Sequence, residues 1–374
     1  MLHVEPRDPS NPASREASHG DARVTSGVTP QRPGTSDAAE FYAALEALHT
    51  FALWTAPEAP REPCPTEVPH VWRWQDVSPQ LMRAADMMDL SQDAQRRVIG
   101  FRNPGNRYPG TTHTLNVALQ LVLPGEVAPA HRHTMAAIRF VIDADGSNGY
   151  TVVDGEQVPM HNGDLILTPG WTWHDHKNAS SDRPLIWLDG LDVPFVRALR
   201  TVFYEDYPGE VAQPLTGRTA SNAASSRLYA WDAAYAGLKR MEAAGAWDPY
   251  DGIRREYLNP LTGGHVLPTM ACSLQLLPAG ARTRPVRRTS SSVSFVVRGS
   301  GYSVLNGQRL AWSERDTIAV PLWAWQEHAA DPGQEVVLFT LSDRPILEPF
   351  GLFRQAVYED GENGGFQHQR ETRG

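Results

Sequence analysis

From about Pro109 onward, apolar residues come in short runs, some alternating with polar residues and some unbroken, with Gly, Pro, Asn and Asp between them. The first series reads "LNVALQLVL", "IRFVID", "GYTVVDG", "GDLILTP" and "RPLIWLDGLDVPF". Runs of this length and spacing predict β-strands closed into a sandwich or barrel. Helical spacing of apolar positions marks "AAEFYAALEALHTFALW" from Ala38, behind Ser36 or Asp37 as N-cap, and "AWDAAYAGLKRMEAAGAW" from Ala230. The chain therefore reads as all-β with a few flanking helices.

The strand pattern occurs twice. "LQLVLPGEVAPAHRHT" from Leu119 matches "LQLLPAGARTRPVRRT" from Leu274, "GYTVVDGEQV" matches "GYSVLNGQRL", and "TPGWTWHDH" matches "VPLWAWQEH". Gln120 aligns with Gln275, Gly155 with Gly307, and Trp171 and Trp173 with Trp323 and Trp325. This is an internal duplication, with a period well above that of solenoid repeats. The expected organisation is a disordered tail over 1–36, a helical and extended segment over 37–108, and a first barrel over 109–205. A helix-bearing linker over 206–260, a second barrel over 261–360 and a tail over 361–374 complete it.

Composition narrows the function. Residues 1–36 hold no aromatic and are rich in Pro, Ser, Gly and Asp, too little apolar surface to offset ordering. The formal charge is −9, from 43 acidic and 34 basic residues without long runs of one sign, which sets aside nucleic acid and anionic membranes as partners. Two cysteines, Cys64 and Cys272, make neither a disulfide framework nor a thiolate site, and no apolar segment is long enough to span a bilayer. A cytoplasmic protein is expected.

The chemistry concentrates in "APAHRHTMAAIRF". Residues i and i+2 of a strand share a face, so His131 and His133 should point together into the barrel, and His174 and His176 should do the same. Three imidazoles converging from adjacent strands, His131, His133 and His174, would hold a divalent first-row metal with positions left open. At the aligned places the second unit has Val286, Arg288 and Gln326, so the second barrel is expected to be metal-free and structural. Arg139 is odd-numbered like His131 and His133 and, on an unbroken strand, would face the same interior. A carboxylate carried there needs a cation, and a planar guanidinium suits it.

Gly125, His131 and His133, then Gly163, Pro169, His174 and Asn178, resemble the two cupin motifs, with Gly170 one place before the motif glycine and the motif glutamate absent. Together with "RRVIGFRNPG", "WLDGLDVPF" and "NPLTGGHVLPTM" they make the chain similar, from about Ala38 to about Glu359, to the gentisate 1,2-dioxygenase family of bicupins, whose members include salicylate and 1-hydroxy-2-naphthoate dioxygenases. The resemblance implies two jelly-roll barrels and Fe(II) on His131, His133 and His174. It also implies chelation of a 2-hydroxybenzoate through its carboxylate and ring hydroxyl, O2 as co-substrate, and a homotetramer or other oligomer. With gentisate the product would be maleylpyruvate.

By the same resemblance Arg139 and Arg96 contact the substrate carboxylate, Asp189 orients Arg139 or a ring hydroxyl, and Gln120 lines the pocket. His176 is a candidate proton donor. The recurrence of Trp171 and Trp173 in the second unit favours core packing for both, and His161 reads as a solvated turn residue. Oxygen-independent metal enzymes of the cupin class, and a bicupin that only binds a ligand, are the competing readings.

Overall fold

Alternation along the strands settles where each side chain goes. In the first barrel one sheet runs, in spatial order, Leu228–Tyr229, Leu165–Thr168, Ala137–Asp143, Leu185–Leu191, Asn116–Val122 and Arg97–Gly100. Facing it are Tyr204–Asp206, Val127–His133, His174–Asn178, Gly149–Val153 and Glu156–Pro159. The second barrel repeats the plan. Its sheets are His70–Trp72, Thr317–Val320, Ser292–Arg298, Val336–Ser342, Ala271–Leu277 and Ile253–Glu256, opposite Gln355–Val357, Val286–Arg288, Gln326–Ala330, Gly301–Leu305, Gln308–Trp312 and Arg370–Glu371. The description rests on a computed structural model and covers residues 35–88, 96–209, 211–220, 226–359 and 365–371.

The sheet that each barrel turns toward the other is packed on both faces. Val122, Val141 and Trp187 point inward with Val153, Met160 and Ile166 and fill one end of the first barrel. Their strand neighbours Leu121, Phe140 and Leu188 point the other way and meet Leu274, Phe295 and Phe339 of the second barrel in one continuous core. Phe140 stacks on Phe339 at 4.3 Å between ring centroids, 20° from parallel. Gly190 faces this seam: a Cβ there would lie 2.4 Å from the end of the Leu341 side chain, which would have to shift. The hairpin turns Asp154-Gly155 and Asn306-Gly307 repeat the same pair of left-handed residues, φ +49° and +77°, then +49° and +79°, the primed turn that matches the twist of antiparallel strands.

Segments expected to connect or trail also supply strands. Ile253–Glu256, Tyr204–Asp206 and Leu228–Tyr229 add to barrel edges, as do His70–Trp72 and Arg97–Gly100. Arg370–Glu371 pairs in parallel with Gln308–Trp312, and buried Gln367 bonds the backbone of Val304 and Gly307. The helix Trp231–Ala243 falls where the periodicity places it. The helix Thr35–Ala47 starts early enough to put Ser36 and Asp37 in its first turn rather than at its cap. The expected disordered tail lies outside the described residues, apart from its last two. No described helix is long and apolar enough to cross a membrane.

Candidate metal centre and substrate pocket

His131 and His133 sit on Val127–His133, and His174 on the neighbouring His174–Asn178. The register shifts between them: Ala128 faces His176, yet His131 faces His174. One extra residue on the first strand makes this a bulge, a device that re-aims side chains near sites. The candidate ligand atoms of the three histidines all lie within 4.8 Å of one another, and among the described residues they form the only such metal-capable group. Ring centroids are 4.2, 4.9 and 5.1 Å apart.

The tautomers follow from the backbone. His133 Nδ1 meets the Met135 carbonyl at 2.8 Å and His174 Nδ1 the Thr172 carbonyl at 3.0 Å. A carbonyl only accepts, so each Nδ1 carries the proton and each Nε2 keeps its lone pair for a ligand. His131 differs. Its Nδ1 lies 3.3 Å from the Pro129 carbonyl but also against the Arg96 guanidinium, which itself donates to Pro129 O at 2.6 Å. Burial drives His131 down to about 2, helped by the Arg96 charge, and His133 to about 4, so both are neutral imidazoles near pH 7. His174 is held well below the usual range by burial and by Arg139. The donor set fits a divalent metal.

Arg139 lies across the barrel on Ala137–Asp143, in the other sheet. The chain breaks at 134–136, so shared odd numbering with His131 and His133 is not why it points inward; the inward face of its own sheet is. Asp189 stands beside it in the middle of Leu185–Leu191 rather than after a strand, paired in register with Arg139 on one side and Ala118 on the other. Arg139 Nε is 3.5 Å from Asp189 Oδ1, and its NH1 donates to Thr168 Oγ1. Both members of the pair are at least nine-tenths buried. Burial raises the Asp189 carboxyl against the pull of Arg139.

Several buried polar atoms here have no hydrogen-bond partner: Arg139 Nε, Asp189 Oδ1, Gln120 Nε2 and both ring nitrogens of His176. Buried groups left unpaired cost roughly 1–3 kcal/mol each, so such a cluster marks a place where something else binds. His176 is fully buried, 6.0 Å from the His174 ring and 4.9 Å from Trp187, and kept neutral by burial and Arg139. Arg96 reaches the same pocket, where burial lowers its pKa to about 10, leaving it charged near neutrality. Arg97 turns away to Glu126 and Met88 O.

Three contributors lie beyond the residues singled out in the sequence. Thr168 holds Arg139, the Tyr204 ring stacks on His131 at 5.3 Å, and Asp175 accepts from Gln213 N and Nε2, tying down the His174 strand from its other face. Thr168 carried a usable signal, since its aligned residue is Val320, the same loss seen at the ligands. Trp171 and Trp173 are not core residues. They flank the Arg132 guanidinium at 4.4 and 4.5 Å, as Trp323 and Trp325 flank Arg287. His161 is half exposed, its Nδ1 3.1 Å from Asp164.

Residues 118–191 match the cupin domain model. The chain is 36% identical over 346 residues to gentisate 1,2-dioxygenase 1 of Aquipseudomonas alcaligenes, covering 86% of this chain and 97% of that protein. It is 38% identical over 320 residues to 1-hydroxy-2-naphthoate 1,2-dioxygenase of a Nocardioides species, covering 80% of each. Among solved structures, salicylate 1,2-dioxygenase from Pseudoaminobacter salicylatoxidans, in adducts with gentisate, superposes with a TM-score of 0.77 at 31% identity over 88% of this chain and 96% of that one. With its duplicated barrels and one three-histidine interior, the chain belongs to the gentisate 1,2-dioxygenase family of ring-cleaving bicupin enzymes.

Proposed function

We propose that this enzyme holds Fe(II) on His131, His133 and His174 and opens the ring of a 2-hydroxybenzoate with O2, gentisate going to maleylpyruvate. The observation that carries the reading is a buried Arg139–Asp189 pair with uncommitted polar atoms, in the same barrel interior as three neutral imidazoles. When bound, the iron would bind the substrate's carboxylate and hydroxyl and provide a route for electrons from ring to oxygen.

The chain's own residues then have definite tasks. Thr168 and Asp189 fix the Arg139 guanidinium, so its plane is set before substrate arrives and the carboxylate meets an oriented donor. Gln120 Nε2 offers a further donor from the inward row of Asn116–Val122. His176, neutral and unpaired at both nitrogens, can accept a hydrogen bond from the ring hydroxyl at one and donate one to a substrate oxygen from the other. Arg96, charged and beside His131, is a second cation for the substrate carboxylate, and the Pro129 carbonyl is placed to take the His131 Nδ1 proton so that Nε2 would be free to hold the metal.

The test is oxygen uptake by Fe(II)-loaded protein with gentisate, salicylate and 1-hydroxy-2-naphthoate in parallel, and His133→Ala as control. Uptake with one of the three, lost in the variant, establishes ring cleavage and names the ring. Bound iron with no uptake on any of them sinks the assignment. Size-exclusion chromatography of the same sample checks the expected tetramer.

A further inference from the structure

The interior of the second barrel is polar at the end that corresponds to the metal site. Inward residues at its far end are Leu277, Val296, Leu338 and Trp312; at the near end they are Ser273, Gln275, Ser294 and Thr340. The registers equate the two barrels row by row. Gln275 stands opposite Leu338 as Gln120 stands opposite Trp187. Ser294 and Thr340, 2.9 Å apart, face each other where Arg139 and Asp189 do. Gln326 and His328 take the places of His174 and His176, and Arg288 takes that of His133.

A barrel kept only for packing has no use for this lining. Arg254, Arg288 and Arg344 border the cavity against one lining carboxylate, Asp251. Asp251 is shared between Arg288, at 2.8 Å, and Arg254, at 3.4 Å; Glu256, near Arg254 and Arg344, and Glu348, near Arg344, lie outside the lining. The remaining polar groups are hydroxyls, amides and His328, whose ring bonds Ser303 Oγ at 2.8 Å. Glu256 and Glu348 balance Arg254 and Arg344 from outside, and the lining itself, three guanidiniums to one carboxylate with neutral donors besides, favours an anion. The free volume is about 40 Å³, room for about three waters at roughly 10–15 Å³ each, and too little for a benzoate ring.

We propose that the second barrel binds a small carboxylate, formate to acetate in size, with Arg288 as its cationic anchor and Ser294, Thr340 and Gln326 as hydroxyl and amide partners. Duplication left the cavity in place, and a guanidinium replaced the metal as the positive charge at its mouth.

Fluorine NMR of fluoroacetate with the full-length, metal-loaded protein tests this. The expected result is a protein-broadened fluoroacetate line that acetate and formate sharpen by competition. Arg288→Gln should abolish the broadening, and Thr340→Val, nearly isosteric, should weaken binding at least tenfold. Absence of broadening, or broadening that survives both second-barrel variants, overturns the proposal. Inorganic phosphate competing better than acetate overturns the carboxylate assignment.

Discussion

Arg139 spends its contacts on Thr168 and Asp189 without exhausting them, since its Nε remains unbonded at 3.5 Å from the carboxylate. A bond to a charged group is worth roughly 1.5–3 kcal/mol. Arg139→Gln should therefore lower kcat/KM about 10–100-fold, mainly through KM, and Arg139→Lys should recover little because a point charge cannot reproduce the planar fork. Steady-state oxygen uptake decides, and an unchanged KM in both would remove Arg139 from the substrate site. At Trp171 the backbone holds φ +64° so that its N–H reaches the His133 carbonyl at 2.7 Å. The glycine sits one place earlier because a Cβ on Gly170 would come within 2.5 Å of Thr134 O. The motif glycine is displaced because the turn needs close approach more than it needs an unstrained left-handed residue.

Strands show most clearly what was legible in advance. The central ones announced themselves by alternation and by recurring in the duplicate, and three histidines on two such strands pointed to the metal-capable cluster that the structure brings together. The edge strands were not legible. Pieces of two to four residues such as Leu228–Tyr229 and Arg370–Glu371 are too short to show a period and pair with partners far away in sequence. Tyr204 stayed hidden for a related reason, since its role comes from pairing its short strand beside the one that carries His131, far away in sequence. Seam-facing rows were visible only as apolar runs, whose second face belongs to the other barrel. Phe140→Ala, at the centre of that seam, should cost about 3–5 kcal/mol of stability, read as a lowered midpoint in denaturant. A loss below about 1 kcal/mol would mean the seam repacks freely.

For the molecule as a whole, His131, His133 and His174 contribute to none of the three apolar cores, so chelation should abolish oxygen uptake and Fe(II) restore it while the circular dichroism of the β-structure stays constant. A parallel loss of both would show that the metal holds the fold. A second expectation concerns pH. His113 lies 2.9 Å from Glu67 and 4.0 Å from Asp343, and although burial works to lower its pKa, the bond to Glu67 and both carboxylate charges raise it above its ordinary 6.5. A raised pKa means its stabilisation is fully present below 6.5 and lost as pH rises through the higher folded value. The Tm difference between wild type and His113→Gln should thus be larger near pH 6 than near pH 9; equal differences would refute the assignment. The two-faced sheets carry a last consequence. Because the outer face of the second barrel is bound to its neighbour through Phe295 and Phe339 while its inner face carries the polar cavity, a change inside that barrel has a direct path to the first one through the shared seam. Natural relatives that keep Arg288 should keep the polar inward row with it, and a designer seeking to add a regulator to the molecule should begin there.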